Sequence, residues 1–293
     1  MATLKDVKLK ISAVKKTKQI TKAMNMVATS RLRGCQQATD AFRPYAEKFA
    51  EVLGSLAGRA PSEANPLLIP REEVHNVHVV LCTSDRGLCG GFNLNLIETA
   101  EKLAAEEAAA GRSVSFTNFG KKGRDWARKT DFEIVEAHLN VVGGRIPFAT
   151  AVTTGRQLVD LFLDGTYDEV YVIYALFESM ARQTPVVQKL LPIPAITTTV
   201  DADAPYMAEH ICEPSPAKLL GTLLPRNVFV QLYKALLETS TSEHAARMMA
   251  MDNATKACND MIERLTLAYN KARQAAITAE LMDIVGGAEA LKG

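Results

Sequence analysis

Near both ends of the chain, apolar side chains recur at alternating three- and four-residue steps. Through the middle they gather in short unbroken runs. At the start the rhythm is Leu4, Val7, Ile11 and Val14, then Thr17, Ile20, Met24 and Val27. The two successive three-residue steps around Thr17 predict a local stammer that overwinds the pair. In the last third, Met248, Met251, Thr255, Cys258, Ile262, Leu265, Tyr269, Ala272, Ala276 and Ala279 keep the same spacing, the signature of a coiled-coil seam. Residues 226–285 form a run of 60 without Gly or Pro. As one helix that run would be about 90 Å long, more than a globular domain encloses, so part of it should project. Residues 1–33 also lack both breakers, and the rhythm extends through Phe42, Tyr45, Phe49, Val52 and Leu56. Gly34, Pro44 and Gly54 interrupt that extension, and Pro44 predicts a kink or a restart. Two seams at opposite ends predict one antiparallel coiled coil with the middle of the chain inserted. Two separate helices packed on a central domain fit the same pattern. Ala, Met, Thr and Cys dominate the seams, which predicts a slender pair of modest stability.

The middle reads as α/β. Val77–Cys82 is a continuous apolar run, as in a strand covered on both faces. Asn93–Ala110 is helical and ends at Gly111. Ser113–Phe119 reads as a strand, Thr150–Leu163 as a helix, Val170–Tyr174 as a strand and Val186–Leu191 as an edge strand beside Pro185 and Pro192. Strands alternating with helices imply a parallel, Rossmann-like sheet. The expected organisation is an N-terminal coiled-coil helix at 1–58, a Rossmann-like α/β domain at 74–200 and a C-terminal coiled-coil helix at 209–293.

Composition adds little until charge is localised. With 47% hydrophobic and 23% charged residues, collagen-like, mucin-like and wholly disordered classes are excluded. The net charge of +1 hides an asymmetry. Residues 1–33 carry nine basic side chains against Asp6, a local net of +8, while residues 240–293 carry six basic and seven acidic ones. A basic helix on an otherwise mildly acidic chain suits an acidic partner. Nucleic-acid phosphates are the other reading, although no aromatic residue precedes Phe42 to stack on bases. No run approaches the roughly 18 apolar residues of a spanning helix. The five scattered cysteines form no C-x-x-C pair and read as free thiols in a reducing compartment.

Chemistry-bearing candidates are few. Ser84–Asn93 (SDRGLCGGFN) follows the first strand and could cradle a phosphate, but it matches no dinucleotide or P-loop fingerprint and lacks a phosphate-binding lysine. A tight strand-to-helix turn explains its glycines as well. Cys89 has no histidine near it in sequence, and His75, His78, His138, His210 and His244 do not cluster. No assembled active site or metal site results. At the C-terminus, Ile277, Leu281, Ile284, Val285, Ala288 and Leu291 leave few solvated positions, which predicts burial inside a partner or against the chain's own domain. The adjacent Arg273 and Gln274 could bond a partner's carboxylates and carbonyls.

Four segments resemble the gamma-subunit family of rotary F-type ATP synthases, in order along essentially the whole chain. Ile11–Arg33 resembles the family's first helix, Ser84–Asn93 its SDRGLCGGFN motif, and Ser242–Asp252 (SEHAARMMAMD) and Ile277–Ala290 (ITAELMDIVGGAEA) its second long helix and terminal signature. The resemblance implies a non-catalytic rotor without a cofactor, its coiled coil set inside a hexamer of nucleotide-binding subunits. The α/β domain would bind the epsilon subunit and the membrane rotor ring, in a complex that makes ATP from ADP and phosphate using proton or sodium flow. Neither nucleic acid nor a direct small-molecule substrate is expected. Met24, Arg273, Gln274, Thr278 and Glu280 match contact positions of the family. Lys10, Lys18 and Lys22 join them on charge, and Glu213 and Pro214 resemble a foot region near the ring. The chloroplast-type cysteine insertion and a transit peptide are both lacking. A bacterial protein on the cytoplasmic face of the plasma membrane is therefore expected.

Overall fold

The computed structural model describes residues 4–57, 65–194 and 215–290. In chain order the elements are α1 (Leu4–Ala57), a 3-10 turn (Pro66–Leu68), β1 (Asn76–Cys82), α2 (Phe92–Ala109), β2 (Ser113–Phe119), α3 (Lys121–Ala127), β3 (Glu133–His138), α4 (Phe148–Leu163), β4 (Glu169–Phe177), β5 (Gln183–Leu191) and α5 (Pro216–Ala290). They form two compact units. One comprises the chain ends, up to Val27 and from Met248, and the other comprises Ala28–Arg247.

The first unit is an antiparallel two-helix coiled coil. The hydroxyls of Thr21 and Thr255 lie 2.8 Å apart, and Asn25 Nδ2 donates to the Met248 carbonyl at 2.8 Å, so α1 and α5 run in opposite directions. On α5 the expected seam from Met248 to Ala276 is at least partly buried, but Ala279 is exposed. On α1 the expected stammer is absent. The inward face continues as Leu4, Val7, Ile11, Val14, Lys18, Thr21 and Asn25, an unbroken alternation of three- and four-residue steps. Apolar residues alone suggest the phase shift. The seam instead passes through Lys18, Thr21 and Asn25, the last two bonded across it, leaving Ile20 59% and Val27 61% exposed on the outer side.

The second unit is a doubly covered sheet of order β3-β2-β1-β4-β5. The first four strands are parallel, and β5 pairs antiparallel with β4 at the edge. Burial of β1 on both faces accounts for its continuous apolar run. Val77, Val79 and Leu81 face the layer of α2 and α3, with Leu96, Ala100 and Phe116. Val80 and Cys82 face the layer built from α4 and the α1 and α5 segments of this unit, with Phe162, Leu53, Leu56, Leu232 and Leu236. α4 approaches α5 so closely at Gly155 that a Cβ there would lie 2.4 Å from Phe229 Cδ1.

Three further features differ from expectation. α1 runs through Pro44 without interruption, because Pro44 lies on its exposed face, where water can serve the Asp40 carbonyl that loses its helical donor. β3 and α3 have no clear sequence signal: EIVEAH is a half-exposed edge strand and KKGRDWA is mostly polar. The C-terminal helix begins at Pro216 and continues through Pro225.

Candidate functional site

In an open parallel sheet, ligands bind outside the carboxyl ends of the strands, where the strand order reverses. Here that point lies between β1 and β4, and α5 fills it. Residues Glu238, Thr239, Ser240, Thr241, Ser242, Glu243, His244, Ala245, Ala246 and Arg247 are all buried. Glu238 Oε2 accepts from the Phe177 N–H at 3.1 Å, and Ser242 Oγ donates to the Ala175 carbonyl at 3.0 Å, which ties the helix to the end of β4. Arg247 Nη2 bonds Glu243 Oε1 at 2.6 Å and donates to the Gly87 carbonyl at 3.3 Å. Ser240 Oγ accepts from the Gly143 N–H at 3.1 Å, and His244 Nε2 lies 3.0 Å from the Gly143 carbonyl. Burial lowers the His244 pKa, opposed by Glu243 and that carbonyl, while the Arg247 and Arg31 charges lower it further.

The Ser84–Asn93 segment is a closed strand-to-helix turn. Ser84 N–H donates to Asn93 Oδ1 at 3.0 Å, Asn93 Nδ2 donates to Cys89 Sγ at 3.1 Å, and Leu88 and Gly90 take φ of 66° and 60°. The Arg86 and Gly87 carbonyls turn toward Arg247. Cys89 is buried, and burial raises its thiol pKa despite the lowering effects of Ser84 and Arg247, so it is poorly suited to act as a nucleophile. Among the described residues no group of three or more His, Cys, Asp or Glu side chains could hold a metal ion. No helix of the described residues is long and apolar enough to cross a membrane.

The coiled-coil unit presents a different kind of site. From Ile277 to Ala288 every residue of α5 is exposed, including Ile277, Leu281, Met282, Ile284 and Val285 at 49–68%. The chain's own packing therefore leaves this apolar stretch bare. Of the residues anticipated at a partner surface, Lys10, Lys22, Arg273, Gln274, Thr278 and Glu280 are exposed, while Met24 and Lys18 turn partly into the seam. Thr278 Oγ1 donates to its own helix at the Gln274 carbonyl, 3.0 Å away. Arg273, Gln274, Thr278 and Glu280 lie within two turns of α5. Lys10, Lys18, Lys22 and Met24 belong to α1. Glu213 and Pro214 lie outside the described residues.

Comparison with known proteins identifies the architecture. A family model described as ATP synthase matches residues 3–291. The chain is 65% identical to the ATP synthase gamma chain of Desulfosudis oleivorans, with both chains covered in full. The chain belongs to the ATP synthase gamma family. Another gamma-family relative, from Desulforapulum autotrophicum, is 59% identical over 99% of this chain and all of its own. Among solved structures, a chain of the Tetrahymena thermophila mitochondrial ATP synthase central stalk and c-ring matches with a TM-score of 0.57 at 25% identity, covering 80% of this chain and 99% of that one. A Euglena gracilis mitochondrial ATP synthase chain shares the fold, with a TM-score of 0.68 at 18% identity over 98% and 94% of the two chains. As a gamma-family member the chain is a non-catalytic central-stalk subunit of ATP synthase.

Sequence reasoning reaches Ser242–Asp252 only as a segment resembling the family's second long helix and assigns no role to Glu238, Ser240, Ser242, Glu243 or Arg247. Their signal is seven consecutive polar residues, Glu238–His244, inside a helix otherwise read as periodic. A solvated helix face alternates with buried positions, whereas an unbroken polar run must turn polar groups inward on every side.

Proposed function

We propose that this chain is the rotor of a bacterial ion-driven ATP synthase, peripheral on the cytoplasmic face of the plasma membrane. Its coiled coil turns inside the hexamer of catalytic and non-catalytic nucleotide-binding subunits, and its α/β unit joins the epsilon subunit and the membrane ring. The observation that carries this reading is the bare apolar run of α5, Ile277 to Ala288, which begins where the partly buried seam ends at Ala276. An apolar tip turns within an apolar sleeve with few directional bonds to break. Met24, Arg273, Gln274, Thr278 and Glu280 contact the hexamer, and Lys10, Lys18 and Lys22 meet its acidic loops. Three similar catalytic subunits then touch different sides of one asymmetric rod, and such differential contacts shift their conformations unequally.

The test is the double variant Arg273→Ala, Gln274→Ala. Both side chains are exposed, so the purified chain should melt within about 1 °C of the unmodified one. ATP synthesis by energised membranes carrying the variant should fall by about fivefold or more. Unchanged synthesis at equal assembly would count against these contacts.

A further inference from the structure

Resting on that rotor reading, we propose that the buried polar stretch Glu238–Arg247 is a torsional lock that stops α5 from rolling about its axis on the sheet. These side chains would then set how stiffly torque enters the helix. At about 100° per residue, Glu238 and Ser242 form one row of the helix, and Ser240 and His244 form a second row roughly opposite. The first row is bonded to backbone atoms of Phe177 and Ala175 at the end of β4. The second is bonded to both backbone groups of Gly143 in the loop after β3. A third row, Glu243 and Arg247, reaches the Gly87 carbonyl after β1. The helix is thus gripped on opposite sides by directional bonds to the end of β4 and to two strand-end loops.

Apolar side chains in these positions would pack well and spare the desolvation of so many polar groups. They would also permit small rolls, because dispersion and burial are nearly indifferent to direction. Hydrogen bonds on two sides are not: rolling one way lengthens both rows, and buried donors and acceptors left unpaired are costly. α1 joins the same cluster, with Cys35 Sγ 3.2 Å from Ser240 Oγ and the hydroxyls of Thr39 and Thr241 3.3 Å apart. Glu238, Ser242 and Ser240 are accordingly positioning residues for coupling.

The experiment uses the reconstituted complex carrying Glu238→Leu with Ser242→Ala, which removes the β4 row while keeping apolar volume. ATP hydrolysis should stay within about twofold, ATP-driven ion pumping per ATP should fall by about fivefold, and a probe on the stalled rotor should fluctuate over a wider angle. Glu238→Gln alone, which keeps an acceptor for Phe177 N–H, should retain normal coupling. Adding Ser240→Cys beside Cys35 provides the decisive arm. Oxidation with diamide to the cross-linked form should restore pumping per ATP in the lock-weakened variant, and reduction should abolish that gain. Normal pumping and normal fluctuation in Glu238→Leu, Ser242→Ala would overturn the lock. So would parallel loss of hydrolysis and pumping that cross-linking does not rescue. Failure of the rotor reading is distinguishable, because the unmodified chain would then support no ion-driven ATP synthesis at all.

Discussion

Replacing Gly120 with Ala should destabilise the α/β unit by at least about 3 kcal/mol, whereas Gly165→Ala should cost only about 1 kcal/mol. Both glycines have positive φ, 98° and 77°. At Gly165 the space where a Cβ would sit is open, so only backbone strain is charged to the variant. At Gly120 that Cβ would lie 2.2 Å from the Thr83 carbonyl oxygen and 2.7 Å from its carbon. Neither side can yield cheaply. Thr83 N–H is bonded to Phe119 O at 2.7 Å, Gly120 N–H to His138 O at 2.9 Å, and Gly123 N–H to Thr83 Oγ1 at 2.8 Å. Moving either backbone therefore disturbs the carboxyl ends of β1, β2 and β3 together. Guanidinium denaturation of the two purified variants decides the matter. Equal losses would mean that strain, and not the collision, governs both sites.

That crossing of backbones has no sequence signature beyond a glycine after a strand, which marks the limit of what pattern reveals. The pattern does report whatever repeats. Val77–Cys82 announced a strand covered on both faces, and Met248–Ala276 announced the α5 seam, because one period governs burial there. It misled where polar side chains occupy buried positions. Lys18, Thr21 and Asn25 carry the α1 seam, so following Ile20 and Val27 produced a stammer that the helix does not have. Pro44 read as a break because its exposure, which decides whether its missing N–H matters, depends on tertiary packing. The buried stretch on α5 shows in the sequence only as a polar run, Glu238–His244, which does not say what its groups bond: Glu238 and Arg247 are ordinary surface residue types until the sheet ends close over them. The apolar character of the C-terminal stretch, by contrast, is local composition marked by Ile277, Leu281, Ile284 and Val285, whereas its exposure depends on packing that composition does not report.

A buried histidine should make the fold acid-sensitive well above the carboxylate range. His78 sits in β1 with no exposed surface, its ring nitrogens 2.8 Å from Ser115 Oγ and 3.0 Å from Thr117 Oγ1, and its ring stacked on Tyr167 at 4.3 Å. Two hydroxyls serve a neutral ring, since one can donate and the other accept, but neither supplies a countercharge for an imidazolium. Burial pushes the pKa from 6.5 down to about 3. The folded protein therefore binds fewer protons than the unfolded chain between those values. The stabilisation is fully present above pH 6.5 and is lost as pH falls toward 3. Each pH unit in that window costs about 1.4 kcal/mol, so roughly 2 kcal/mol should disappear by pH 5. His138 and His244, also lowered mainly by burial, add to the slope in the same direction. The variant His78→Gln isolates the effect, because an amide offers a donor and an acceptor to the same two hydroxyls and does not titrate. Unfolding free energies measured from pH 7 to pH 5 should fall less steeply for it, by the equivalent of about one proton. Identical slopes for the two proteins would show that the unmodified fold already accommodates the charged ring.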